Sequence, residues 1–346
     1  MELSDFFQYI NLLRESISLK ICILGSMIAV VIVVILLFRN FVMGGQFRKD
    51  YITMDEKVVV ITGANSGIGK ETALDLARRN AKIYLACRDY DRCELARKEI
   101  IQATGNTKIY NRHLDLNTLD SVREFVEEFS TDEKHLDVLI NNAGVLYIPH
   151  SITKDGCETT LQVNHISHFL LSHLLLGHLK RAPQGRIINI SSIAYILSRI
   201  DKDDLHLNKS FGMMRAYANS KLAQILTTQR LAQELKGTNV TVNVVHPGII
   251  STDIWRNVPF IPWPFSWIIS FAINLLIYKS VTSGAQTQIR CAVDPKLATV
   301  SGKFFSACKE VHPIFIFPQA KNKNTREFIW RESLRLAKIP IDFSYK

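Results

Sequence analysis

The glycine-rich segment at residues 62–69 (TGANSGIG) constrains the fold of this chain more than any other feature. It directly follows an apolar run at residues 58–61 (VVVI), and an amphipathic helix is predicted after it over residues 70–80. Glycine permits a tight turn and lets the backbone come close to a phosphate, which the positive N-terminus of the next helix attracts. A GxxxGxG turn in this context therefore predicts a strand–helix unit that holds a dinucleotide.

The rest of the chain repeats this alternation of apolar runs and amphipathic helices. Such an alternation favours a parallel sheet that is covered by helices on both faces. We expect one doubly wound, Rossmann-type α/β domain over residues 52–346. The predicted strands are 58–61, 83–86, 136–140, 186–190 and 240–245, and the predicted helices are 70–80, 91–104, 159–179 and 216–235.

A charge-free run of eighteen residues (21–38) lies near the N-terminus, between Lys20 and Arg39. About 20 apolar residues cross the hydrocarbon core of a bilayer as a helix, so the run predicts a transmembrane anchor. A cleavable signal peptide is the alternative, although the run is long for one and no small-residue cleavage site follows promptly. Residues 1–20 then form an N-terminal segment, and residues 39–51 form a linker.

A second apolar region, residues 258–278, breaks the α/β pattern. Pro259, Pro262 and Pro264 stand near its start and forbid a continuous helix there, which leaves about fourteen residues, too few to cross a bilayer. We interpret the region as an apolar substrate flap or interfacial segment. A second membrane helix and ordinary core are the alternatives.

The residues after the second predicted strand bear on the choice of coenzyme. A fold of this kind usually places an acidic residue there, against the adenosine ribose. This chain has Arg88 followed by Asp89. The fork of donors on a guanidinium suits a 2′-phosphate, so Arg88 favours NADP(H) over NAD, although the neighbouring carboxylate weakens the argument.

Tyr217 and Lys221 lie four residues apart in a predicted helix, so their side chains project from one face. A phenol with a pKa of about 10 is a poor acid or base at neutral pH unless a nearby cation stabilises its phenolate. Lys221 is placed to do this. Ser192 ends the predicted strand 186–190, at the sheet edge where ligands bind, and its hydroxyl can hold a substrate oxygen.

Together these motifs resemble the short-chain dehydrogenase/reductase family, and they are similar to its membrane-anchored retinol dehydrogenase branch. The resemblance covers residues from about 57 to beyond 248. It is carried by TGANSGIG at 62–69, Asn142-Ala143-Gly144, Ser192, the spacing of Tyr217 and Lys221, and Pro247-Gly248, with ACRD at 86–89, Asn164-His165 with His168-Phe169, and YANSKL at 217–222 as signs of the branch.

The resemblance implies a role for each of these positions. Tyr217 would be the general acid/base, Lys221 would lower its pKa and bind the nicotinamide ribose, Ser192 would bind the substrate oxygen, and Asn164 would join a water relay to Lys221. The residues implied to bind the coenzyme are Gly63, Asn65, Ser66, Gly67, Ile68, Gly69, Arg88, Asp115, Asn142, Gly144, Tyr217, Lys221, Pro247 and Gly248. The separation of Ser192 from Tyr217 implies a loop over residues 198–214.

The expected activity is an NADP-dependent interconversion of a lipophilic alcohol and its carbonyl, with retinol and retinal the leading candidates. A steroid or fatty-aldehyde reductase and a non-catalytic membrane scaffold are the alternatives. Lysines and arginines follow the anchor slightly in excess of those before it, so we expect the catalytic domain to face the cytosol, at the endoplasmic reticulum.

Composition excludes several other classes of protein. The net charge of +10 is spread without basic runs, so we expect no nucleic-acid partner. The six cysteines show no CxxC spacing, which argues against zinc and against a disulfide framework. Four histidines (His165, His168, His173 and His178) crowd one predicted helix, but their gaps of three, five and five residues do not suit a metal site, so we expect none.

Overall fold

The computed structural model describes residues 3–38, 45–47, 51–248, 250 and 279–345. The predicted flap at 258–278 and most of the predicted linker at 39–51 lie outside these residues, so both stay predictions.

The N-terminal helix α1 (Leu3–Phe38) takes in both the predicted anchor and the segment before it. Its stretch Arg14–Leu37 is long and apolar enough to cross a membrane, and none of it is buried against the rest of the protein. A helix of 36 residues is about 54 Å long, compared with about 30 Å for the hydrocarbon core of a bilayer. Helix α1 is therefore a candidate membrane span that also extends beyond the apolar layer.

The α/β domain is built on one sheet of eight strands in the order β3-β2-β1-β4-β5-β6-β7-β8. All neighbours pair in parallel except β7 and β8, which form an antiparallel hairpin. The strands are β1 (Val58–Thr62), β2 (Lys82–Cys87), β3 (Ile109–His113), β4 (Val138–Asn141), β5 (Gly185–Ile190), β6 (Val240–His246), β7 (Phe304–Ser306) and β8 (Lys309–Glu310). The order reverses between β1 and β4, the point at which ligands bind in such sheets.

The sheet is buried on both faces, as its continuous apolar strands require. Alternate residues of β1 belong to different cores: Val58 and Val60 to one, Val59 and Ile61 to the other. One core lies under α2 (Gly67–Arg78), α3 (Tyr90–Thr104) and the helix Val281–Val293, named α9 here. The other lies under α4 (Leu119–Asp132), α8 (Met213–Glu234) and the helix Lys323–Leu336, named α10 here. The predicted doubly wound fold is confirmed.

The single long helix predicted over residues 159–179 is wrong in detail. The chain there forms α5 (Thr159–Leu161), a π-helical stretch (Gln162–Ile166), α6 (Ser167–Leu174) and α7 (Leu176–Arg181). The π-helical stretch contains Asn164, for which a catalytic role is predicted. A π-bulge inserts an extra residue into a helix and often marks a functional position.

Several elements had no clear signal in the sequence. Strand β3 (IYNRH) is largely polar and only partly buried, and β7 has three residues, too few to show a period. Helix α8 begins at Met213, three residues before its predicted start. Residues 198–212 connect a 3₁₀ helix (Ile193–Leu197) to α8 without regular structure, close to the predicted loop 198–214.

Candidate active site

A cleft of about 390 Å³ opens at the carboxyl edge of the sheet, above the point where strand order reverses. With one exception, every residue predicted to act in catalysis or coenzyme binding lines this cleft. The lining includes Gly63, Asn65, Ser66, Gly67, Ile68, Gly69, Arg88, Asp115, Asn142, Gly144, Ser192, Tyr217, Lys221, Pro247 and Gly248. The exception, Asn164, is fully buried behind the wall.

The turn between β1 and α2 depends on glycine at two positions. Gly63 has a φ of +62°, and a Cβ added there would lie 2.9 Å from the Cα of Ala143. A Cβ on Gly69 would lie 2.4 Å from both the carbonyl oxygen of Gly63 and the side-chain amide nitrogen (Nδ2) of Asn142. These close approaches let the turn fold tightly over the end of β1, which leaves room for a ligand at the start of α2.

The ends of β1 and β4 are joined by hydrogen bonds that form the floor of the cleft. Thr62 Oγ1 accepts the backbone N–H groups of Asn142 and Ala143, both at 2.9 Å. The Asn142 side-chain amide donates to the carbonyl of Thr62 at 2.9 Å and to that of Gly63 at 3.2 Å. These bonds hold the glycine turn, which follows β1, against the end of β4.

At the other end of the cleft, Arg88 follows β2 on the surface. The side chain of Asp89 caps α3, because its Oδ1 accepts the backbone N–H of Arg92 at 3.0 Å. Arg92 also lines the cleft. Asp115 accepts the backbone and side-chain N–H groups of Asn117 at 3.0 and 2.8 Å. Asp89, the carboxylate expected to weaken the argument for NADP, is thus engaged in the cap of α3.

Tyr217 and Lys221 come together on one face of α8, as their spacing predicts. The Lys221 Nζ atom lies 5.6 Å from the centre of the Tyr217 ring. Its ammonium donates to the Ile190 carbonyl at 2.7 Å and to Gln224 Oε1 at 3.2 Å. Tyr217 is 7% exposed and Lys221 only 3%. The pair therefore lies at the dry end of the cleft, between β5 and α8.

Burial changes the acidity of both groups. It lowers the pKa of Lys221 from 10.5 to about 7, because the interior disfavours the ammonium. It raises the pKa of Tyr217 to about 12, and a hydrogen bond with Ser192 opposes that rise. The phenol is therefore protonated at neutral pH and can donate its proton, and the lowering of its pKa by Lys221 stays a prediction.

Ser192 reaches the cleft from the end of β5. It caps the 3₁₀ helix Ile193–Leu197, with its Oγ accepting the Ala194 N–H at 3.2 Å. The hydroxyl of the neighbouring, buried Ser191 is engaged elsewhere, since it donates to the backbone carbonyl of Lys221 at 2.8 Å. Ser192 and Tyr217 are thus the two hydroxyls that face the same point, while Ser191 ties β5 to α8.

Asn164 holds the wall behind the pair. Its side chain binds the Val145 backbone at both N–H (2.8 Å) and C=O (3.0 Å) and donates to Ser220 Oγ at 3.0 Å. Its own carbonyl accepts the Gln224 amide at 2.8 Å. Because the Gln224 side chain also accepts a hydrogen bond from Lys221, Gln224 links Asn164 to Lys221 at the place where a water relay was predicted. The catalytic role of Asn164 stays a prediction.

The structure has known relatives. The family described as short chain dehydrogenase matches residues 57–259. Human retinol dehydrogenase 11 is 46% identical over 291 residues, covering 84% of this chain and 89% of that protein. Bovine (Bos taurus) retinol dehydrogenase 12 is 44% identical over 323 residues, covering 92% and 97%. The RhlG/NADP active-site complex of Pseudomonas aeruginosa superimposes with a TM-score of 0.60 at 25% identity, covering 74% and 96%.

The chain belongs to the short chain dehydrogenase family. It is an oxidoreductase that uses a nicotinamide coenzyme.

The cleft of this short chain dehydrogenase fits such a coenzyme. Ser66, the residue before α2, makes no side-chain cap, so the N–H groups of the first turn of the helix are available to a phosphate in the cleft. Asn142 Oδ1 is buried at the cleft floor with no protein donor in the described structure. The uncapped helix end and the unpaired acceptor are both polar groups of the kind that a dinucleotide would bind.

Two residues of the dehydrogenase site were missed from the sequence. Gln224 lies three residues after Lys221, so the i,i+3 spacing on α8 could have indicated it. His168 binds Thr62 Oγ1 through Nε2 at 2.8 Å and the Asn164 carbonyl through Nδ1 at 3.2 Å. Because Thr62 already accepts two N–H groups, its proton goes to Nε2, and His168 carries its own proton on Nδ1. Burial lowers the His168 pKa to about 3, in keeping with a neutral ring.

The other histidines of the same segment are engaged in the core. His165 Nε2 lies 2.7 Å from Ser333 Oγ, and His173 bonds the Phe169 carbonyl at 2.7 Å and the Tyr345 hydroxyl at 2.9 Å. Burial lowers the pKa of His165 to about 3 and that of His173 to about 4. His165 thus joins the π-helical stretch to α10, and His173 joins α6 to the C-terminal residues of the described chain.

Proposed function

We propose that this dehydrogenase uses NADP(H) to interconvert retinol and retinal, with the reduction of retinal as the reaction for which the site is best prepared. The observation that carries the proposal is the buried pair Tyr217 and Lys221 at the dry end of the cleft, with the partly exposed Ser192 beside it. The substrate is inferred from the relatives, which are named retinol dehydrogenases.

The choice of NADP(H) is supported at the opposite end of the cleft. Arg88 and Arg92 both line it, and the nearest carboxylate, Asp89, is engaged in the cap of α3. A guanidinium can bind a phosphate through two parallel hydrogen bonds, which a ribose hydroxyl would not need. We infer that Arg88 binds the 2′-phosphate, with Asp115 near the adenine and Gly144, Pro247 and Gly248 lining the nicotinamide end.

The coenzyme supplies or accepts the hydride, and the chain's own residues handle the oxygen and its proton. Ser192 and Tyr217 would donate hydrogen bonds to the substrate carbonyl oxygen, and Tyr217 would transfer its proton to it. A pKa of about 12 keeps Tyr217 protonated at neutral pH, as a proton donor must be. Lys221 would stabilise the phenolate left behind, held in place by the Ile190 carbonyl and Gln224.

We further propose that α1 anchors the enzyme in the endoplasmic reticulum membrane, with the catalytic domain in the cytosol. The apolar length of Arg14–Leu37 supports the anchor. Asn208, an exposed residue in an N-x-S sequence, reports the orientation. It stays unmodified in a cytosolic domain, so a glycosidase-sensitive mass increase that is lost in Asn208→Gln would contradict this placement.

The activity is tested with the purified full chain, NADPH and a panel of retinal, steroid ketones and long-chain aldehydes. We expect retinal to be turned over with the highest kcat/KM, and Tyr217→Phe to lose about 10²- to 10⁴-fold of the activity. Tyr84→Phe is the control, because Tyr84 is a buried tyrosine outside the cleft that binds Glu133. A higher kcat/KM for a steroid ketone or a fatty aldehyde would make that compound class the substrate in place of retinal. If the protein turns over no compound of the panel, and Tyr217→Phe behaves as the wild type does, the enzymatic role is refuted.

A further inference from the structure

Three large apolar side chains are exposed within four residues of one another after the β7–β8 hairpin. Ile314, Phe315 and Phe317 are 73%, 66% and 45% exposed. Leu197, 57% exposed, ends the 3₁₀ helix whose Tyr195 contacts Phe317. We call these four residues the apolar ledge. Contiguous exposed apolar residues of this kind mark an interaction site, whereas single ones are ordinary.

Hydrogen bonds hold the ledge against the wall of the active site. The backbone N–H of Phe317 donates to the Tyr195 hydroxyl at 3.3 Å, and the two rings lie 6.3 Å apart. The side-chain amide of Gln319 donates to the Ile196 carbonyl at 3.4 Å. Tyr195 and Ile196 belong to the 3₁₀ helix that begins after Ser192, and its first residues line the cleft. The ledge is thus an ordered surface next to the catalytic end of the cleft.

The chain that leaves the anchor reaches the domain beside the same hairpin. Gly45 packs against the β7–β8 turn so closely that an added Cβ would lie 2.1 Å from the Ala307 carbonyl oxygen. Phe47 is buried in the same core cluster as Phe305 and Cys308, and its N–H donates to Gln286 Oε1 at 3.1 Å. The contact between the incoming chain and the hairpin is therefore fixed by packing.

Chain length then limits how far this face can be from the bilayer. The seven Cα-to-Cα steps from Phe38 to Gly45 span at most about 25 Å when the chain is fully extended. A domain of this size is about 50 Å across, so the β7–β8 turn must lie on the half of the domain that is nearer to the membrane. Residues 314–317 of the ledge begin four residues after β8, the edge strand of the sheet, so they lie close to this turn along the chain.

The charges around the ledge also suit an anionic lipid surface. Lys309, Lys321 and Lys323 are exposed on either side of it in the sequence. The acidic residue in residues 309–323, Glu310, is paired with Lys303 at 2.8 Å. Lysines near a membrane gain energy from anionic headgroups, while large apolar side chains insert at the boundary of the acyl chains.

We propose that the apolar ledge is a second membrane contact, distinct from α1, which inserts into the bilayer interface and holds the catalytic domain against it. The partner is the lipid surface itself, recognised by apolar insertion together with lysine attraction. This proposal concerns how the domain meets the membrane, and it stands whether or not retinal is the substrate.

The test uses full-length protein in which Cys22→Ser removes the exposed thiol of α1, since the other five cysteines are buried. Phe315→Cys carries a polarity-sensitive NBD label, and Leu95→Cys is the matched control, because Leu95 is 59% exposed on α3. Both proteins are reconstituted into phosphatidylcholine vesicles with and without phosphatidylserine. Only preparations whose thermal unfolding matches that of the unlabelled protein are compared.

We expect lipids with a quenching group on the acyl chain to quench the label at 315 about threefold or more over the label at 95. Phosphatidylserine should increase this difference, and the triple variant Lys309→Gln, Lys321→Gln, Lys323→Gln should remove the increase. Equal lipid quenching at both positions, with both labels open to aqueous iodide, would overturn the proposal. A label at 315 that is shielded only as protein concentration rises would also overturn it, and would assign the ledge to contact with a second copy.

Discussion

The two ends of the cleft differ in how far their groups are exposed to water. At the end near Arg88 the cleft offers the partly exposed backbone N–H groups at the start of α2 and the exposed side chains of Arg88 and Arg92. At the end near Lys221 both Tyr217 and Lys221 are buried, and the lysine is held by the Ile190 carbonyl and Gln224. Water screens charges at the first end and is excluded from the second. Substitutions at the buried end should therefore have the larger consequences.

The largest expected effect is that of Lys221→Met, which should separate activity from stability. Loss of the ammonium should lower kcat by about 10³-fold. The same change should stabilise the fold at pH 7 by about 1–3 kcal/mol, because the cost of burying a cation with a lowered pKa exceeds the cost of an unpaired Ile190 carbonyl. Calorimetry in detergent measures the stability, and single-turnover kinetics measure the activity.

The pH dependence of that stability has a definite sign. Between pH 7 and 10.5 the unfolded chain keeps the Lys221 proton that the folded chain has lost, so wild-type stability rises with pH over this window. The advantage of Lys221→Met should therefore be largest at or below pH 7 and shrink toward pH 10.5. A variant less stable than wild type at pH 7 would show that the ammonium contributes net stability to the fold.

The exposed end gives a smaller and more selective effect. Arg88→Ala should lower kcat/KM for NADPH by about 10- to 100-fold, because a charged hydrogen bond to the phosphate is lost, and should leave the value for NADH nearly unchanged. Steady-state kinetics with both coenzymes check this. Arg331→Ala is the control, since it removes an exposed arginine from α10, away from the cleft. An equal loss with both coenzymes would remove Arg88 from the phosphate role.

The same difference explains how much of the site could be predicted from the sequence. The coenzyme end is built from a short continuous segment, so its glycines and the preceding strand were visible in residues 58–69. Tyr217 and Lys221 were visible as a pair because helical spacing places them on one face. The polar links between helices were not visible: His168 and Gln224 meet at the Asn164 carbonyl only because separate elements pack together.

The fold shows the same limit. Strands that are buried on both faces, such as β1 and β6, give continuous apolar runs and were predicted within a residue or two. Strand β3 is polar and partly exposed at the sheet edge, and β7 is short, so neither gives a period that can be recognised. The π-helical stretch at Gln162–Ile166 has no local signal, because it depends on which carbonyls and amides meet across the core.

The smallest expected effect, at Gln224, tests whether the buried end is a network rather than a pair. Gln224→Leu removes the acceptor for Lys221 and the donor for the Asn164 carbonyl, and should lower kcat about tenfold, or about 1.4 kcal/mol of transition-state energy. Gln229→Leu is the matched control, because Gln229 also lies on α8 and donates to a backbone carbonyl, that of Ala320, outside the cleft.

The pH profile distinguishes a positioning role for Gln224 from a structural one. The loss of its dipole in Gln224→Leu should lower the pKa of Lys221 below about 7, and a carboxylate in Gln224→Glu should raise it, because an opposite charge favours the ammonium. If the ammonium stabilises the Tyr217 phenolate, the pH above which retinal reduction declines should move down in the first variant and up in the second. If both variants are less stable than wild type while the pH profile of activity is unchanged, Gln224 is a packing residue. The two ends of the cleft would then differ only in their burial.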